Sequence, residues 1–155
     1  MHLHKRTKEM FQRILVAVDP SPARHSVIRL AGDMARLTGA RVSVLHVAPS
    51  AATLAAVVSL EDDVEAKTVL DEALTSLRDA GVEAEGTVVN ALTTQIATTI
   101  SSAAEEWQAD LLILSPHHRG SLEALVKSRV SDAVAHRSRA AVLLAPPEDG
   151  SAPQH

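Results

Sequence analysis

The chain has 155 residues, of which 46% are hydrophobic and 22% charged, and carries a formal net charge of −4. That length and balance suit one domain with one core and exclude a mainly disordered chain; the acidic balance gives no global electrostatic reason to hold nucleic acid or an anionic membrane. There is no cysteine, so disulfides, thiolate nucleophiles and cysteine-ligated metals are excluded by count.

The first residues, Met1 to Met10, are basic, but no apolar run long enough for a signal-peptide core follows. Ile14–Val18 is stopped by Asp19-Pro20, and no stretch approaches the ~18 apolar residues a membrane helix needs. The expectation is a cytoplasmic protein with a tail over 1–11, one domain over 12–146 and a flexible tail, rich in small residues and proline, over 147–155.

Five short runs read as strands: Arg13–Asp19, Arg41–Val47, Val82–Val89, Leu111–Ser115 and Ala140–Ala145. Four of them are nearly continuous in Val, Leu, Ile and Ala, as strands covered on both faces are. Val82–Val89 alternates and is more polar, which places it at an edge. Between the runs lie four helical patterns. Val27, Leu30, Ala31, Met34, Leu37 and Thr38 share the first face, and Leu70, Ala73, Leu74 and Leu77 the second. Ile96, Ile100, Ala103, Ala104 and Trp107 make the third; Leu122, Leu125, Val126, Val130, Ala133 and Val134 make the fourth. Gly39 and Gly81 stand where helices should end. Pro49–Leu60 reads either as a loop over the strand ends or as a first turn of the second helix.

Strict alternation of strand and helix predicts an α/β fold with a parallel sheet, right-handed crossovers and helices on both faces. Ligands of such sheets bind at the carboxyl ends of the strands. Function is therefore to be sought just after Asp19, Val47, Val89 and Ser115.

Three segments carry a resemblance. Ile14-Leu15-Val16-Ala17-Val18-Asp19-Pro20-Ser21 is an opening strand with its aspartate, and Val44-Leu45-His46-Val47 a second strand. The third segment runs from Ala109-Asp110-Leu111-Leu112-Ile113-Leu114 through Val130-Ser131-Asp132-Ala133-Val134 to Ala141-Val142-Leu143-Leu144. In this order and spacing they resemble the universal stress protein family. The resemblance implies an open five-stranded sheet of order 3-2-1-4-5, the adenine-nucleotide alpha-hydrolase-like fold, with Asp19 and Ser115 facing each other across the crevice.

Many members of that family bind ATP through G-x-x-G, nine intervening residues and G-[S/T]. The matching positions here are Ser115, His118, Ser128 and Arg129, so all three glycines and the hydroxyl residue are missing. Side chains there occupy the path of the phosphates, and Pro116 removes an N–H donor. Against that, His117, His118, Arg119 and Arg129 make the loop cationic, and a helix start at Ser121 offers free N–H groups to an anion. The resemblance also implies that Asp19 lies by the adenosine and that the backbone at Val47 meets adenine. The same residues allow Asp19 to cap the turn after the strand, and the Val47 side chain and His46 to be structural. His117 and His118 are adjacent and point opposite ways on extended backbone, which disfavours joint metal binding.

The last strand is uncharged and is an edge in the implied order, an arrangement that native edges normally guard against. Ala141, Val142, Leu143 and Leu144 are thus the expected homodimer edge, as in many relatives. The resulting reading is a non-catalytic stress-response binding or regulatory module. It needs no cofactor, has lost or weakened ATP binding and works through unknown protein partners. The alternative is an AMP- or ATP-binding regulatory switch. A third reading, a phosphate-ester hydrolase using Ser115 or the histidine pair, lacks an orienting third group and an elbow motif.

Overall fold

β1 (Arg13–Val18) and β2 (Arg41–Ala52) run parallel, with Leu15 beside Ser43 and Ala17 beside Leu45. The computed structural model describes residues 10–60, 62–115 and 140–146. β4 (Ala84–Leu92) pairs with the far edge of β2, β5 (Leu111–Leu114) with the other edge of β1, and β6 (Ala141–Leu144) with β5, all parallel. The five expected strands therefore lie in the order β4-β2-β1-β5-β6.

A sixth strand corrects the five-stranded expectation. β2 does not end at Val47 but continues to Ala52, and β3 (Val57–Ser59) folds back on it antiparallel. The Pro49–Leu60 segment is thus a hairpin, neither a loop nor a turn of helix. The Thr53 hydroxyl closes it, donating to Ala56 O at 2.8 Å and accepting from Ala56 N–H at 3.0 Å.

α1 (Arg24–Thr38) and α2 (Asp63–Asp79) cover one face of the sheet. α3 (Ile96–Trp107), which follows a short 3-10 turn over Thr93–Gln95, covers the other. Alternate side chains of β1 enter the two cores: Ile14, Val16 and Val18 under α1 and α2, Leu15 and Ala17 under α3. The fourth expected helix lies outside the described residues.

Local chemistry explains the helix ends. Asp62 accepts a bond from Val64 N–H at 2.8 Å to start α2, with Asp63 and Glu65 in the first turn. Gly39, at φ 78°, ends α1 in a left-handed conformation with its N–H on Ala35 O. The apolar face expected for α1 needs one correction. Leu37 is 79% exposed, and the buried stripe is Val27, Ile28, Ala31, Gly32 and Ala35. Small residues set that face because α2 comes close: a Cβ at Gly32 would touch Leu77 Cδ2 at 3.5 Å.

Candidate functional site

The carboxyl ends of the strands form a notch. β1 stops at Val18, beside His46, while its neighbour β2 runs on. Ser50 pairs with Leu92 of β4 and also with Ser59 of β3. A strand has two edges, so β3 takes the edge that β1 occupies lower down. Along that edge no described strand pairs with Val47 or Ala48, and Pro49 O already accepts from Leu60 N–H at 2.9 Å. The result is a short length of buried backbone between the end of β1 and β3 that has no strand partner on this edge among the described residues.

Asp19 sits at the foot of this notch. Its Oδ1 accepts from Ser21 N–H at 2.8 Å, so the aspartate fixes the turn that carries the chain from β1 into α1. The α1 N-terminus itself receives no side-chain cap. Arg24 ties the same turn from the helix side, its Nη1 donating to Pro20 O at 2.6 Å. The Val47 side chain is buried in the α3-side core, which leaves only its backbone to face the notch. His46 is fully buried, with Nδ1 3.0 Å from Val18 O. A carbonyl can only accept, so Nδ1 carries the proton.

Ser115 follows β5 and is 1% exposed. The β1–β5 register, which sets Val16 beside Ile113, places Ser115 level with Val18 when continued, one residue before Asp19. The two residues expected to face each other across the crevice are thus brought to the same end of the central strands. His117, His118, Arg119, Ser121, Ser128 and Arg129 lie outside the described residues. Among the described residues no three His, Asp or Glu side chains gather as a metal-ligand set, and no helix is long and apolar enough to cross a membrane.

β6 forms the far edge of the sheet. Its other neighbour among the described residues is absent, Val142 and Leu143 are half-buried, and Leu144 is 37% exposed.

Sequence reasoning missed the hairpin that frames the notch. It also missed Asp110, whose carboxylate accepts from Gln12 N–H at 2.9 Å and Arg13 N–H at 3.0 Å and so locks the start of β1 to β5. The signal for Asp110 was its place directly before an apolar run, which does not by itself say what the carboxylate grips.

The notch has the strand-free backbone of Val47 and Ala48 on one side and the Asp19 carboxylate on the other. A family model described as "Universal stress protein family" matches residues 10–146. A universal stress family protein from Burkholderia pseudomallei is 24% identical with a TM-score of 0.68, the match covering 89% of this chain and 98% of that one. The universal stress protein from Archaeoglobus fulgidus in complex with dAMP is 22% identical with a TM-score of 0.65, covering 88% and 99%. A universal stress protein in complex with cAMP is 20% identical with a TM-score of 0.61, covering 89% and 98%. No curated protein sequence matches the chain.

Proposed function

This chain belongs to the universal stress protein family, and from that premise we propose that it is a non-catalytic regulatory module that works through protein contacts, with adenine-nucleotide binding weakened relative to its ATP-binding relatives. The observation that carries the reading is Ser115. It stands where the family's ATP motif has its first glycine, and it is a buried side chain at the carboxyl end of β5. A Cβ and hydroxyl there fill space that a glycine would leave for phosphate and backbone N–H groups to meet. The hairpin beside the notch supports the protein-contact half of the reading, because Leu54, Val57 and Leu60 are all exposed there.

The second reading is a nucleotide-responsive switch, in which AMP or ATP occupancy alters partner binding. It is favoured by the notch between Asp19 and Val47 and by the dAMP and cAMP named for two relatives. In that case Asp19 and the Val47 backbone would hold the adenosine. The phosphates would then fall to His117, His118, Arg119, Ser121 and Arg129, which lie outside the described residues.

One experiment separates the two. Protein purified without nucleotide is denatured and its supernatant run on anion exchange against ATP, ADP and AMP; ATP is then titrated into stripped protein by calorimetry. We expect no co-purified nucleotide and a dissociation constant no tighter than about 1 mM, a binding free energy of about −4 kcal/mol. Stoichiometric co-purified nucleotide or micromolar affinity would replace the first reading with the switch.

The reading also takes the module to be a homodimer joined through β6. Replacing Leu144 by lysine places a charge on an apolar strand that has no outer partner among the described residues. We expect sedimentation to show a dimer for the parent protein and a shift to monomer for Leu144→Lys, with the far-ultraviolet spectrum unchanged. A parent that is monomeric at all concentrations refutes the β6 dimer.

A further inference from the structure

The end of the sheet away from the notch holds a second concavity that the nucleotide reading does not use. Its floor follows from register. Leu15 of β1, Ser43 of β2 and Glu85 of β4 lie in one row; Leu45 and Thr87 lie in the next row on the same face. The last turns of α3 form the wall, with Ala103, Glu106 and Trp107 at helical spacing facing the sheet. Together they line an open groove of about 400 Å³, a size suited to a small molecule.

Three features give the groove a chemical preference. Ser43 lines it at 8% exposure, yet its hydroxyl has no hydrogen-bond partner among the described residues. A buried hydroxyl left unpaired is costly, so a ligand atom that pairs with it gains what the fold leaves unmet. Leu15 and Leu45 give the floor an apolar stretch. Two carboxylates, Glu85 and Glu106, stand at the rim, and Glu106 makes no ion pair or hydrogen bond with the described residues. Glu85 is aimed by Trp107, whose Nε1–H donates to Glu85 Oε2 at 3.0 Å. Arg13, a cation beside this wall, is already engaged: it lies 4.2 Å from the centre of the Trp107 ring, and its Nε donates to Trp107 O at 2.9 Å.

We propose that this groove is a binding site for a small organic cation, a protonated amine on an apolar chain that also bears a hydroxyl. The ammonium sits between Glu85 and Glu106, the chain lies on Leu15 and Leu45 beside Trp107, and the hydroxyl meets Ser43. The site lies at the amino ends of the strands, so a cation held there leaves the carboxyl-end notch free.

Trp107 is the single tryptophan of the chain, and there is no tyrosine, so intrinsic fluorescence reports on this groove directly. The probes are 6-amino-1-hexanol, neutral 1,6-hexanediol and anionic 6-hydroxyhexanoate, titrated at pH 7 with saturation-transfer NMR as a second readout. We expect a saturable fluorescence change with the amine near about 1 mM, and binding at least about tenfold weaker for the diol and the acid. The exposed double variant Glu85→Gln, Glu106→Gln removes the charge and keeps the side-chain shape; it is expected to weaken the amine by about tenfold or more. No saturable signal by either method, equal binding of all three probes, or undiminished amine binding by the double variant would each overturn the proposal.

Discussion

Replacing Gly86 by valine is expected to destabilise the protein by about 3 kcal/mol, a loss of about 6–12 °C in Tm for a chain of this size. Two effects oppose each other at this position. Glycine inside a strand is usually a weakness of about 0.5–1 kcal/mol relative to alanine, so its removal should help. Here the space forbids it. A Cβ on Gly86 would stand 2.6 Å from Leu70 Cδ1 and 2.8 Å from Val44 O. The leucine tip can rotate away. The carbonyl cannot, because Val44 and Gly86 are register partners and any retreat parts β2 from β4. Alanine at this position should therefore cost about 1–2 kcal/mol rather than help, and valine more. Leu70→Ala in the Gly86→Val background should return only part of the loss, since it relieves the side-chain contact and leaves the backbone one. Urea unfolding followed by circular dichroism measures all three. A Gly86→Val protein within about 0.5 kcal/mol of the parent would show that α2 and β2 do not close on this strand as described.

The same ladder bears on function. β4 holds β2 as far as Ser50, and it is this continued pairing that keeps β2 extended past the end of β1 to leave the notch beside Asp19. Damage at Gly86 should therefore reach any nucleotide affinity the protein has, without touching a residue of the notch.

The strands were legible because burial on both faces demands unbroken runs of Val, Leu, Ile and Ala, and Arg13–Val18 and Leu111–Leu114 are such runs. Asp19 was legible through its place at the end of the first of them. The hairpin was not. A proline such as Pro49 is a poor sign of a continuing strand, because it gives up a ladder donor. It is tolerated because the open edge beyond β1 asks nothing of its nitrogen, while its carbonyl still serves Leu60. The burial of α1 was read one stripe off, because periodicity weighs large apolar residues such as Leu37, whereas close helix packing selects Ala31, Gly32 and Ala35. The groove below Trp107 was invisible for a different reason. Ser43, Glu85 and Trp107 are distant in sequence, and only the register of three strands and the reach of α3 bring them to one place.

Asp110→Ala should be the most damaging single change at a polar position, costing about 3 kcal/mol. One side chain serves two backbone donors: Oδ2 accepts from Gln12 N–H at 2.9 Å and Oδ1 from Arg13 N–H at 3.0 Å. The backbone of the same residue completes the join, its N–H donating to Arg13 O at 2.9 Å and its carbonyl accepting from Ala141 N–H at 3.1 Å. Asp110 therefore ties the starts of β1, β5 and β6. Hydrogen bonds to a charged acceptor are worth about 1.5–3 kcal/mol each, toward the low end where water reaches them, and these are part-buried. Alanine loses both and leaves two donors unmet. Asparagine is the sharper probe, because it keeps the shape and changes only the chemistry. Its single oxygen can satisfy one N–H, while its amide group sets a donor against the other. Asp110→Asn should thus cost about half as much as Asp110→Ala, and only one of the Gln12 and Arg13 amides should lose its protection from hydrogen exchange. If asparagine costs nothing, the carboxylate does not grip both amides. If asparagine costs as much as alanine and both amides exchange freely, the two bonds form and break as one unit.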